Sequence, residues 1–98
     1  MRSRVNGKMY DTKRSKLLIE YTNGLYPDDF NYVGEDLYIT PEGKYFLDGE
    51  GGAFTRYAVH VGRGWMRGAE KIIPISEDEA KEWAKDRVTK EKYEEIFG

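Results

Sequence analysis

The chain has no cysteine, a single histidine, only three prolines and no long apolar run in its 98 residues. Without cysteine there is no disulfide framework, no thiolate zinc site and no cysteine nucleophile. No apolar run approaches the roughly 20 residues a membrane-spanning helix needs, and the N-terminus lacks the apolar core of a signal peptide. A cytoplasmic protein is the expectation.

The lone histidine, His60, would need partners for a triad or a metal centre. Asp48 and Glu50 are near in sequence, but their spacing selects neither arrangement. The carboxylate pairs Asp28-Asp29, Glu35-Asp36 and Asp48-x-Glu50 lack a domain large enough for a glycosidase cleft between two carboxylates. Gly49-Glu50-Gly51-Gly52 is glycine-rich, yet no Lys-Ser/Thr pair and no G-x-G-x-x-G spacing follows, so neither a P-loop nor a dinucleotide fingerprint is present. A tight loop with close backbone approach is the better reading. The chain is therefore expected not to be an enzyme and to hold no cofactor or metal.

Charged residues make up 35% of the chain, hydrophobic ones 39% and aromatics 14%, with eight tyrosines. That apolar content suffices to collapse one modest core, so one domain over residues 1–98 is expected. A net charge of −2 points to neither a nucleic-acid binder nor an extreme acidic mimic. The charge is unevenly placed. Residues 1–16 hold six cations and one anion, whereas residues 17–60 hold eight anions and two cations.

The best-defined element is a hairpin over Asp36–Asp48. Pro41 presets the second position of a turn at Thr40–Gly43, and Gly43 suits the left-handed conformation that closes a three-residue loop with a bulge. This register pairs Leu37 with Leu47, Tyr38 with Phe46 and Ile39 with Tyr45. Both hairpin faces are then apolar, so the chain's own helices or a partner must cover the second one.

Around the hairpin, Asn6-Gly7 marks a turn before a short strand at Lys8–Tyr10. Asp11 or Thr12 is positioned to cap a helix running to about Tyr21, with Leu17, Leu18 and Tyr21 on one face. In the loop after Gly24, Tyr26, Phe30 and Tyr32 are expected to pin the chain to the core. Phe54–Val61 fits a strand or a helical turn leading into one. Glu70–Ser76 reads as a strand with Pro74 at a sheet edge. Ser76 and Glu79 form a capping box for a helix whose inner face is Ala80, Trp83, Ala84, Arg87 and Val88, and a short helix follows. The predicted fold is α+β: an antiparallel sheet of three to five strands built around the central hairpin, packed with an N-terminal and a C-terminal helix.

Two binding classes remain. Cations at residues 2–16 with Tyr10, together with Arg56, Arg63, Trp65 and Arg67, could make a basic strip for nucleic acid. Against it stands the acidic middle of the chain. The other class is a protein-binding module. Its contact residues would be the acidic positions Asp28, Asp29, Glu35, Asp36, Asp48 and Glu50, with Tyr38, Tyr45 and Trp65 as anchors. Clustered carboxylates present the same sign of field as a phosphate backbone and would suit a basic groove.

Read together, Asn6-Gly7-Lys8-Met9-Tyr10-Asp11-Thr12, Asp29-Phe30, Glu35-x-Leu37-Tyr38, Gly43-x-Tyr45-Phe46-Leu47-x-Gly49-Glu50-Gly51-Gly52 and Pro74-x-Ser76 running into Ala80-x-x-Trp83 resemble a group of short proteins carried by phages, plasmids and other bacterial mobile elements. The likeness spans most of the chain, and the Tyr-Phe-Leu-x-Gly-Glu-Gly-Gly segment is its most specific part. This setting includes anti-CRISPR proteins. The resemblance implies a stoichiometric inhibitor that binds a defence effector, such as a CRISPR–Cas subunit, and blocks DNA recognition or cleavage. It supplies no residue-level motif. The alternative is a small nucleic-acid-binding accessory protein of a mobile element.

Overall fold

A computed structural model describes residues 1–98. The elements are β1 (Arg2–Val5), β2 (Lys8–Asp11), β3 (Lys16–Thr22), β4 (Val33–Ile39), β5 (Tyr45–Gly51), β6 (Val59–His60), β7 (Met66–Arg67), β8 (Ala69–Ile75), α1 (Glu77–Lys85) and α2 (Lys90–Phe97). The class is α+β, with one antiparallel four-stranded sheet ordered β3-β4-β5-β8 and two small ribbons, β1-β2 and β6-β7. No helix is long and apolar enough to cross a membrane.

The central hairpin has the predicted register, with Leu37 opposite Leu47, Tyr38 opposite Phe46 and Ile39 opposite Tyr45. Its turn closes through Gly43 N–H donating to the Thr40 carbonyl at 2.9 Å and Thr40 N–H donating to the Lys44 carbonyl at 2.8 Å. Gly43 takes φ 84°, where a side chain would be strained. At the N-terminus both Asn6 (φ 51°) and Gly7 (φ 78°) are left-handed, as a two-residue hairpin turn requires.

The N-terminal helix expected over Thr12–Tyr21 does not form; both helices are C-terminal and this segment supplies edge strand β3. Ile19, Tyr21 and Thr22 favour a pleated, half-buried strand. A bulge between Leu17 and Ile19 shifts the register, so consecutive Leu18 and Ile19 both reach the same core. That irregularity copies the spacing of a helical face. Asp11 does accept from a free backbone N–H, but from Lys13 at 2.9 Å, within a turn.

The capping box at α1 is present. Glu79 N–H donates to the Ser76 hydroxyl at 3.1 Å, and Ser76 N–H donates to the Glu79 carboxylate at 2.9 Å. Thr89 caps α2 by accepting from Lys92 N–H at 3.2 Å. Ala80, Trp83 and Ala84 are the buried side of α1. They pack with Ile19, Leu37 and Leu47 from the sheet, while Tyr93, Ile96 and Phe97 of α2 close the same layer. Both helices thus lie on one sheet face.

The opposite face is shared between two covers. Near the hairpin turn, the β1-β2 ribbon lays Tyr10 on Phe46 and Ile72, with Val5 and Tyr38 beside them. The Tyr10 and Phe46 rings meet edge-on at 5.5 Å, and Tyr38 stacks on Phe46 at 5.2 Å. This ribbon, not a helix or a partner, buries Phe46.

Candidate protein-binding face

Alternation along the strands decides which acidic residues meet. On the face away from the helices, Glu20 pairs with Asp36 and Asp36 pairs with Asp48 across three neighbouring strands. Two residues further along, Glu50 sits opposite Glu70. Five carboxylates from all four strands therefore share one surface, and no lysine or arginine of the sheet stands among them.

The crowding is visible in the acidities. Asp48 is pushed up to about 6, first by burial, then by its hydrogen bond with Glu70 and repulsion from Glu70 and Asp36; the chain's terminal ammonium opposes this. One of its oxygens, Oδ1, is buried and accepts no hydrogen bond. Asp36 is raised as well, by burial and then by the charges of Glu20 and Glu50. Like charges opposite one another in a sheet cost stability, so the pairing of these carboxylates works against the fold.

At the end of the sheet where β4 begins and β5 ends, the surface deepens into a groove of about 530 Å³ lined by residues that include Asp28, Asp29, Phe30, Glu50, Met66 and Glu70. Glycines make it. A Cβ on Gly52 would collide with the backbone of Asp29 and Phe30, and one on Gly68 with the Gly51 carbonyl. The Gly-Glu-Gly-Gly stretch is a close-approach element, as its composition predicts. Tyr32 forms one wall and donates its hydroxyl to Glu50 Oε1 at 3.3 Å.

Of the residues expected at an interface, Asp28, Asp29, Asp36, Asp48 and Glu50 fall on this face or its groove. Tyr38 is on the same face but is half-buried under the N-terminal ribbon. Trp65 is exposed on the β6-β7 ribbon, next to groove residue Met66. Glu35 and Tyr45 are not there. Tyr45 lies under the helices, half-buried, 5.9 Å from the Phe97 ring.

Glu35 is buried at 2% exposure and ties the helix side together. Its Oε2 accepts from the Tyr57 hydroxyl at 2.6 Å and its Oε1 from Trp83 Nε1 at 2.9 Å. Arg56 and Arg87 approach its two oxygens at 3.7 Å and 4.0 Å. Arg87 also lies over the Tyr21 and Trp83 rings. Burial and the bond to Glu35 push the Tyr57 hydroxyl well above the usual tyrosine range. Glu35 is thus a structural anchor rather than a contact residue.

Two things escaped the sequence reading. Tyr57 was one aromatic in an ambiguous segment, yet it is fully buried. The signal for it was Gly49, because any Cβ there would overlap the Tyr57 ring and hydroxyl. The loop aromatics also divide differently from expectation. Only Tyr32 pins its loop; Tyr26 and Phe30 are exposed, and Phe30 pairs with exposed Phe54 at 5.2 Å.

No family model matches the chain, and no curated protein or solved structure matches it either.

Proposed function

We propose that this chain is a stoichiometric inhibitor carried by a phage or mobile element. It would bind a bacterial defence effector, a CRISPR–Cas subunit in the first instance, through its carboxylate face. The observation that supports this reading is the acidic face itself. Five carboxylates share a surface where burial, and after it repulsion from neighbouring carboxylates, raises the carboxyl pKa values of Asp36 and Asp48, and where like charges face one another at a cost to the fold. A surface that costs stability and carries one sign of charge suits a partner of the opposite sign. The channel in which an effector holds nucleic acid is such a partner. The resemblance to mobile-element proteins gives the biological setting.

The test is phage plaquing on strains that carry defined CRISPR–Cas systems, with and without this protein. The expected result is restored plaquing on at least one system, lost when Asp28, Glu50 and Glu70 are all reversed to lysine. No rescue on any system rejects the anti-CRISPR reading. Rescue that survives the triple reversal rejects the acidic face as the contact.

A second reading draws on the other pole of the molecule. Lys8, Arg14 and Lys44 line a groove of about 350 Å³ between the N-terminal ribbon and the hairpin turn, although Asp11 and Glu42 share it. Direct nucleic-acid binding there predicts a mobility shift of DNA or RNA at low salt with a dissociation constant of about 10 µM or below. Absence of that shift rejects it.

A further inference from the structure

The four most exposed aromatic side chains of the molecule come from two connections at the same end of the sheet. Tyr26 is 82% exposed and Phe30 61% in the β3–β4 connection, while Phe54 is 71% and Trp65 72% exposed in the β5–β8 connection. Exposed rings of this size, gathered at one end, are interface material. Phe30 lines the glycine-floored groove and holds Phe54, and Trp65 is next in the chain to Met66, which also lines it. Its volume of about 530 Å³ is within the range of small-ligand and side-chain pockets.

The charge of the groove selects its occupant. Asp28, Asp29, Glu50 and Glu70 line it against one cation, Arg67. Nucleobases could stack on the rings, but their phosphates would meet four carboxylates. A purely apolar segment would bring those carboxylates no counter-charge. A planar cation satisfies both features, since a guanidinium stacks on an aromatic face and forms paired hydrogen bonds with a carboxylate. Lysine offers neither the plane nor the fork.

We infer that this groove receives an arginine side chain, presented on an extended segment of a partner protein whose flanking apolar side chains rest on Phe30, Phe54 and Trp65. The inference deepens the inhibitor reading, on which it rests for the identity of the partner. It names the anchor by which the acidic face would grip a basic channel.

The probe is a blocked pentapeptide, Ala-Leu-Arg-Phe-Ala, titrated into the 98-residue chain and followed by amide chemical shifts. Saturable shifts are expected at Asp28–Phe30, Gly51–Ala53 and Met66–Glu70. The same peptide with uncharged citrulline for arginine should bind about tenfold more weakly, and so should the wild-type peptide to the double variant E50Q/E70Q. Both glutamates are exposed, and the variant's unperturbed spectrum would establish that it folds. Phe54→Ala should weaken the arginine and citrulline peptides equally, because it removes the apolar rest alone. Shifts that map elsewhere, equal binding of the citrulline peptide, or a stronger response to a deoxythymidine oligomer would each overturn the inference. So would a concentration-dependent dimer abolished by E50Q/E70Q, which would make a second copy the occupant. Plaquing rescue without peptide binding would sink the groove and leave the inhibitor reading standing. Peptide binding without rescue would do the reverse.

Discussion

The two faces of the four-stranded sheet treat the same chemical group in opposite ways. On the helix side a single carboxylate, Glu35, is taken out of water and given two donors and two nearby guanidinium groups. On the other side five carboxylates share a surface with no lysine or arginine of the sheet among them, and one oxygen of Asp48 accepts nothing. A buried charge is tolerable only when its hydrogen-bonding capacity is filled. A crowded, unpaired set is tolerable only where water screens it. The first arrangement therefore serves the fold and the second works against it, which is why the second is the place to look for a role outside the fold.

Removing Glu35 should break the comparison hardest. Glu35→Ala leaves the Tyr57 hydroxyl, Trp83 Nε1 and two guanidinium groups without their shared acceptor, so a loss of about 3–5 kcal/mol is expected in urea denaturation. A cost below about 1 kcal/mol, the level of an exposed ion pair, would mean that the anchor is no anchor. Gly49→Ala comes next. Its Cβ would overlap the Tyr57 ring, and displacing that ring from a packed site should cost about 1–3 kcal/mol. An unchanged denaturation midpoint for Gly49→Ala would show that Tyr57 is not held over β5.

What could be read in the sequence follows from how local each feature is. The hairpin register was legible because Pro41 and Gly43 fix the turn and strand alternation does the rest. The α1 cap was legible because Ser76 and Glu79 are three residues apart. Strand β3 was not, because the bulge at Leu18 is a property of its pairing with β4 and leaves no period of two to detect. Among the candidate site residues, Asp36, Asp48 and Glu50 come together by simple alternation once the hairpin is drawn. Glu35 follows from the same count, since it shares a face with Leu37 and Leu47 and so had to be covered by whatever covers them. Its donors could not be read, as Tyr57 and Trp83 are 22 and 48 residues away.

The acidic face offers a test of opposite sign. Asp48 titrates near 6 in the folded chain against an ordinary value of 3.8, so between those values the folded state holds a proton that the unfolded state has released. This contribution to stability is present below the ordinary value and is lost as pH rises through about 6. Asp48→Asn should therefore stabilise the protein at neutral pH and flatten its pH profile in that window. The gain should be about 1 kcal/mol, less than the full shift because the side chain is partly solvated. Denaturation midpoints at pH values on either side of 6 would measure it. Equal effects of Asp48→Asn on both sides would mean that neither burial nor the neighbouring carboxylates raise the Asp48 carboxyl.

The smallest effect on stability should come from the outermost charges. Asp28 and Glu50 are exposed, and changing either to lysine should move the denaturation midpoint by no more than about 0.5 kcal/mol. Glu50→Lys should come out close to neutral, since attraction toward Glu70 and Asp36 replaces repulsion while the Tyr32 hydroxyl loses its acceptor. If binding to an effector falls by an order of magnitude or more in a variant that folds as well as the parent or better, stability and contact are separated in one residue. A face that can be improved for folding at the expense of binding is one whose charge is kept for a partner. If instead Glu50→Lys destabilises the chain by as much as Gly49→Ala does, the carboxylates are part of the scaffold and the contrast between the two faces disappears.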